Sequence, residues 1–268
     1  MLTAETFAHN HQRLDGRPDR AWEEAVPVTL GSQISLPDAY ARQHEFISGF
    51  ADRTGLQLTG FKISMTNAAD QVAVRASEPA YGYLTSAHLA EGRDEIHLAS
   101  SNHPLVEPEL IFRTGRDIDA SFSAADITQI CDVTAGLEVP ICRLKGWWPL
   151  DDVPQLSLSD FILDNAGAGR VVHGSNWRPA TELDLPAVSV TVSTPDGAVH
   201  TGQGSRVLEN PLNAMRWLAG ALARSGQVIP AGSLVSSGTF MPPIRAIPGR
   251  FSAEFSQGLG AVAVDFVG

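Results

Sequence analysis

Apolar positions follow two different periods along this chain. Between residues 35 and 55 they recur at helical spacing, with Phe46, Ile47 and Phe50 on one side of a segment from Leu36 to Thr54. Ser35 stands at the N-cap and Gly55 supplies the stop, so this segment predicts an amphipathic helix. Gln57 to Met65 then reads as a short strand. From Tyr81 onward the signals are mostly those of strands: Leu105 to Arg113, Gly136 to Leu144, Val188 to Ser193, Leu234 to Ser237, and Phe251 to Phe266 broken by a turn at Gly258-Leu259-Gly260. Pro195-Asp196-Gly197, between two alternating runs, predicts a hairpin. Ser123-x-x-Asp126 and Ser157-x-x-Asp160 are capping-box patterns for two short helices. Pro211 to Arg224 is the strongest helix, with Asn210 at its cap, Pro211 at its first position and Gly226 past its end. Helices first and then many strands argue for an α+β fold with a mixed β core and peripheral helices, not for a doubly wound sheet. Residues 1–60 form a mainly helical N-terminal region packed on the body, residues 61–268 a mixed-β domain, and no linker separates them.

Composition narrows the function. Apolar residues make up 43% and charged residues 18% of 268, which fits a globular protein with a substantial core. The net charge of −11, with no Lys/Arg run longer than two, argues against a nucleic-acid partner. An anionic small molecule is then held locally, by a metal or a few convergent cations. Met1 to Arg20 is polar and lacks the apolar segment of a signal peptide, and no run of about 18 apolar residues suggests a membrane span. Cys131 and Cys142 make neither a disulfide framework nor a zinc site and read as buried thiols. A cytoplasmic setting without membrane partners fits these features.

Glu107-Pro108-Glu109 carries most of the chemistry. Two residues apart on a strand, both carboxylates project from one face, flanked by Leu105, Val106, Leu110 and Ile111. Two acids on an apolar strand repel each other and lose solvation, which calls for a compensating charge. Glu138 is a third acid in a similar apolar strand. Together they offer half of an oxygen-donor site for a hard divalent cation, leaving positions for water and a chelating substrate. A solvent-facing strand edge that binds nothing is the alternative. Lys62 interrupts the apolar run Leu58 to Met65. It is either a snorkelling lysine or, beside a cation, an amine of lowered pKa able to carry protons. Arg143 and Lys145 offer counter-charge to a substrate carboxylate, and Ser237-Gly238-Thr239 offers hydroxyls and backbone N–H groups to one, or is a turn. His103 has no companion at ligand spacing and reads as structural.

These residues bear a family resemblance. Gly60-Phe61-Lys62-Ile63-Ser64-Met65-Thr66 resembles the Gly-Tyr-Lys-Ile-Gly-Leu-Thr segment of the 2-oxopent-4-enoate hydratase and 4-oxalocrotonate decarboxylase family, in the fumarylacetoacetase superfamily. Glu78 to Leu84, Val106 to Phe112, Gly136 to Val139, Asp164 to Gly169, Asn210 to Ala214 and Ser236 to Thr239 are similar to further segments of that family, in the same order from about Leu36 to the C-terminus. The resemblance implies the mixed β-roll of the fumarylacetoacetase C-terminal type, often assembled as a homo-oligomer. It implies Mg²⁺ or Mn²⁺ on Glu107, Glu109 and Glu138, with Lys62 as general acid/base, and a small 2-oxo acid as substrate.

The departures from the pattern lie around the ligands. Ile141-Cys142-Arg143 stands where hydratases commonly carry Asp-Ser-Arg, and Gly146 stands in place of an Asp before Trp147. Ser64 replaces a glycine and Ala80 an acidic residue. The expected activity is a metal-dependent lyase, a hydratase of a 2-hydroxy-2,4-dienoate in aromatic catabolism. Decarboxylation of a 4-oxalocrotonate-type acid uses the same platform. A C–C bond hydrolase of the fumarylacetoacetase type and a non-catalytic 2-oxo acid binding protein are further alternatives.

Overall fold

The computed structural model describes residues 34–73, 76–101, 103–143 and 157–268. The stretch up to Gly31 and the positions Lys145, Gly146, Trp147 and Trp148 therefore lie outside the described residues. Helix α1 (Leu36–Thr54) forms as its sequence predicts: the Ser35 hydroxyl accepts from the Asp38 N–H, and Gly55 ends the helix in the left-handed region at φ 71°. Its buried face includes Phe46, Ile47 and Phe50, each contributing roughly 2 kcal/mol by leaving water. Gln43 on the same face donates to the Tyr81 carbonyl at 2.8 Å and to the Ile162 carbonyl at 3.0 Å, tying α1 to the body.

Fourteen strands of the described residues form two sheets. The larger runs β2 (Ala80–Thr85), β1 (Leu58–Ser64), β11 (Leu234–Ser236), β5 (Leu105–Thr114), β6 (Cys131–Val139), β7 (Arg170–His173) and β3 (Leu89–Glu91), with β12 (Ile244–Arg245) also on β5 and β8 (Arg178–Pro179) on β6. The second runs β10 (Val199–Gln203), β9 (Ser189–Ser193), β13 (Gly249–Phe255), β14 (Gly260–Val267) and β4 (Arg93–His97). β1 with β11, β3 with β7 and β14 with β4 pair in parallel among otherwise antiparallel neighbours, so the sheets are mixed, as expected of an α+β fold.

The two sheets differ in how their faces are covered. β13 and β14 alternate buried and more exposed residues, because one face meets the core and the other faces outward. β5 and β6 are buried almost throughout, since β13 and β14 pack across β6 on one side. That double burial is why their sequences read as continuous apolar runs. Helices α2 (Ala68–Ala73), α3 (Ala124–Ile130), α4 (Leu158–Leu163) and α5 (Pro211–Ala223) complete the described fold. Both capping boxes form, at Ser123/Asp126 and Ser157/Asp160, and Asn210 caps α5.

Most strand boundaries fall within two residues of expectation, and those of β6 and β11 have a physical reason. β6 spans Cys131–Val139, not Gly136 to Leu144. Pro140 has no N–H and ends the ladder, while β5 offers partners back to Thr114, opposite Cys131. β11 stops at Ser236 because the next residues leave the sheet to meet a side chain of β5.

Candidate active site

The register of β5 on β6 builds the acidic cluster. Glu107 lies opposite Glu138, and Glu109 opposite Gly136. A side chain at Gly136 would meet the Ile111 side chain at 2.5 Å, so glycine leaves room for the packing beneath the acids. Carboxylate oxygens of Glu107, Glu109 and Glu138 all lie within 4.8 Å of one another. Glu109 and Glu138 are buried, whereas Glu107 keeps partial solvent access. Pro108 between the two acids accepts the Phe240 N–H at 2.9 Å through its carbonyl. Its missing donor points to the same side, where β11 has ended and β12 has not begun.

Glu109 is held by its neighbours across the sheet. Its Oε2 accepts the Ser236 hydroxyl at 2.6 Å and the Gly238 N–H at 2.7 Å. Gly238 adopts φ 108°, and a side chain there would stand 2.2 Å from the Thr66 hydroxyl, so only glycine brings its amide this close. Ser-Gly-Thr thus offers an N–H to a carboxylate, but the carboxylate is the protein's own. The Ser237 hydroxyl is buried without a hydrogen bond among the described residues, and Thr239 donates to the Met241 carbonyl at 2.9 Å.

Lys62 approaches from β1, which reaches the acids through β11: Lys62 pairs with Ser236 on one side and Gly82 on the other. Its Nζ is buried, 2.9 Å from Glu138 Oε1, and donates to the Ser64 hydroxyl. Ser64 and Ala80, two of the departures noted above, face each other in the register of β1 on β2. A side chain at Gly82 would stand 2.1 Å from the Asn165 carbonyl. Its absence lets the Asp164–Gly169 segment lie over β2, where Asn165 bonds both backbone groups of Tyr83. Arg143 anchors that segment, donating to the carbonyls of Ala168 at 2.8 Å and Ile141 at 3.1 Å and pairing with Asp164.

Burial and mutual repulsion set the proton affinities. Burial, then Glu138, pushes Glu107 up to about 8. Burial with Glu138 and Glu107 holds Glu109 well above the carboxylate range, and burial raises Glu138 against the pull of Lys62. For Lys62, burial opposes the charge, but Glu138, Glu107 and Glu109 outweigh it, so its affinity is raised. Three carboxylates around one ammonium set that direction; the lowered value expected of Lys62 applies beside a cation. Fully ionised, the group keeps two negative charges in excess, the charge of a divalent cation. Glu138 Oε1 meets the Lys62 ammonium at 2.9 Å, whereas its buried Oε2 has no hydrogen bond among the described residues. An all-oxygen set with unsatisfied buried lone pairs fits a hard divalent ion.

Ser236, Asp70 and Arg206 escaped the sequence reading. Asp70 and Arg206 form an ion pair at 3.4 Å, and both influence Glu107. Ser236 carried a faint signal, a hydroxyl two residues before Gly238 on an apolar strand. Asp70 and Arg206 carried none. Among the described residues, no other cluster of three His, Cys, Asp or Glu side chains has ligand geometry, and no helix is long and apolar enough to cross a membrane.

No family model matches the chain. Individual relatives do. It is 31% identical over 253 residues to a 2-keto-4-pentenoate hydratase of Paraburkholderia xenovorans (strain LB400), covering 94% of this chain and 89% of the relative. The chain belongs to the 2-keto-4-pentenoate hydratase family. Within that hydratase family it is also 28% identical to a 2-oxo-hept-4-ene-1,7-dioate hydratase of Escherichia coli, across 97% of this chain and 98% of the relative. The hydratase-family fold agrees with a 4-oxalocrotonate decarboxylase from Pseudomonas putida G7, complexed with magnesium and adipate, at TM-score 0.85 and 23% identity over 100% and 99% of the two chains. A fumarylpyruvate hydrolase from Pseudomonas aeruginosa, in complex with Mn²⁺ and pyruvate, matches at TM-score 0.57 and 13% identity over 79% and 90%.

Proposed function

We propose that this protein is a divalent-metal-dependent hydro-lyase that adds water to a 2-hydroxy-2,4-dienoate, giving a 4-hydroxy-2-oxo acid. The observation that carries the reading is the buried cluster of Glu107, Glu109 and Glu138 with Lys62 as its one internal cation, on a chain 31% identical to a hydratase over 94% of its length.

Glu107, Glu109 and Glu138 would hold Mg²⁺ or Mn²⁺, which supplies positive charge opposite the carboxylate and 2-oxo oxygens of the substrate, where enolate charge develops. Ser236 and the Gly238 amide fix the direction of Glu109, so that carboxylate is oriented before substrate arrives. Lys62 is the proton carrier. Neutralising the acids relieves what holds its proton, and the Ser64 hydroxyl keeps its Nζ aimed. The substrate enol gives up its O–H proton and gains one at the far diene carbon. Water then adds its hydroxyl to C4 and its proton to C3. The buried flank of Lys62, closed by the Asp164–Gly169 segment, keeps bulk water from that proton path. In this proposal Arg143 stabilises the wall that faces the substrate, while Ser237 and Thr239 line its approach. Self-association into a homo-oligomer follows from the resemblance alone, and sedimentation velocity reads it.

The test is an ultraviolet progress curve on 2-hydroxypenta-2,4-dienoate and 4-oxalocrotonate, with EDTA-treated and Mg²⁺- or Mn²⁺-restored protein. Metal-dependent loss of the dienoate to a hydroxy-oxo acid is expected. CO₂ release from the dicarboxylate alone would replace hydration by decarboxylation. Lys62→Ala should lower turnover on the order of a hundredfold or more, and a loss within about threefold would remove Lys62 from the mechanism.

A further inference from the structure

Arg206 stands beside the site with a fixed backbone and a loosely held side chain. It ends a 3-10 turn, Gly204–Arg206, and the next two residues after Val207 adopt left-handed conformations, Leu208 at φ 45° and Glu209 at φ 67°. Such backbone persists only where contacts over-determine it. Here the Leu208 N–H donates to the Thr66 carbonyl at 2.9 Å, and Asn213 donates to the Leu208 carbonyl at 2.8 Å. Thr66 in turn packs against Gly238, whose amide binds Glu109. The Arg206 turn is therefore locked to the wall of the acidic cluster through one short chain of contacts.

The guanidinium is poorly used for a residue so firmly placed. Among the described residues its one partner is Asp70, at a long 3.4 Å, and its Nε is buried without a hydrogen bond. Asp70 is fixed separately, by Asn67, which donates to its carboxylate and accepts its N–H. The Arg206 side chain remains about a quarter exposed. The charges of Asp70 and Arg206 both reach Glu107, the one acid of the cluster with solvent access. The pair thus lies on the Glu107 side of the cluster.

Charge balance assigns it a use. Three glutamates, Lys62 and a divalent cation sum to zero, and the head carboxylate of a 2-oxo acid makes that minus one. A second carboxylate on the substrate would need its own cation near the opening. Arg143 is committed to the carbonyls of Ile141, Asp164 and Ala168. Arg206, with five donors in a planar fork and one long contact, is suited to a carboxylate.

We propose that Arg206, steered by Asn67 and Asp70, is a specificity-determining residue that reads a second carboxylate at the far end of the substrate, so that this protein prefers dicarboxylic 2-oxo acids. The inference rests on the proposed 2-oxo acid chemistry of the neighbouring cluster.

The experiment is titration calorimetry of the Mg²⁺-loaded full-length protein with 2-oxoadipate and 2-oxohexanoate, six-carbon acids that differ only at the distal end. The readout is the ratio of their two Kd values, which general loosening of the site does not move. The unaltered protein should favour 2-oxoadipate by at least about tenfold, as expected of a charge-assisted pair. Arg206→Ala should bring the ratio within about twofold of unity, and Arg206→Lys, which keeps the charge without the fork, should retain part of it. An unaltered protein that binds both acids equally would overturn the role of Arg206 alone. So would an Arg206→Ala or Arg206→Lys ratio equal to that of the unaltered protein. Binding of neither acid by Mg²⁺-loaded protein would overturn the 2-oxo acid reading and this inference with it.

Discussion

Two buried acid–base pairs lie a few residues apart and behave as opposites. Asp164 and Arg143 are both buried and balance each other: the Arg143 N–H donates to the Asp164 carboxylate at 2.9 Å, and three carbonyls receive the guanidinium. That pair has no surplus charge and clamps the exit of β6 to the segment over β2. Glu138 and Lys62 are equally buried and 2.9 Å apart, yet two more carboxylates crowd beside them. A balanced pair is a structural tie, and an unbalanced one is suited to taking a further charge. The distinction lies in the neighbours, not in the residue types.

The largest effect expected from breaking this contrast is on the tie. Arg143→Met leaves Asp164 buried without its cation and should cost about 3–5 kcal/mol of stability, read by urea denaturation. Glu138→Gln should act in the other sense, leaving the EDTA-treated protein at least as stable, since it removes one of three repelling acids. Turnover with Mg²⁺ should nonetheless fall by more than the tenfold to hundredfold typical of supporting residues. If Glu138→Gln destabilised the metal-free protein as much as Arg143→Met, the contrast would be wrong.

Ser236→Ala sharpens the comparison on a smaller scale. Glu109 keeps the Gly238 amide but loses a hydroxyl, so Mg²⁺ affinity should drop roughly tenfold to a hundredfold at a stability cost of about 1 kcal/mol. The most gradual effect is spread over pH. Glu107 is raised from 4.5 to about 8, so the folded metal-free protein keeps a proton that the unfolded chain has released between those values. Its stability therefore falls as pH rises through that window, by up to about 1.4 kcal/mol per pH unit for each such proton. Saturating Mg²⁺ should flatten the slope by replacing the proton. Melting curves from pH 5 to 8 with EDTA and with Mg²⁺ read both.

What the sequence disclosed follows from how local each signal is. Ser35, Gly55, Asn210 and the two capping boxes act within four residues, and each was readable. Glu107 and Glu109 showed their shared face through the two-residue strand period, and Glu138 stood out as the one charge in its run. Ser236 and Arg206 were hidden because their meaning comes from partners far away, Glu109 and Asp70. The end of β6 at Val139 was available in Pro140, whereas its start at Cys131 depended on how far β5 extends as a partner. The direction of the Lys62 shift needed the distances themselves, since a lysine beside a cation and a lysine among three bare carboxylates respond oppositely.

The parallel pairing of β1 with β11 has a consequence for how the chain reaches this state. It sets Lys62 against Ser236, and Ser236 must also meet Glu109 across 127 positions of chain. Contacts spanning such separations close late, after hairpins such as β9–β10 and the β5–β6 ladder have formed. The two acids of β5 and the one of β6 can therefore gather early, while the base and the hydroxyl that orients Glu109 arrive only with the last third of the chain. Refolding in the presence of metal would then gain affinity in two phases, the second coincident with docking of β11.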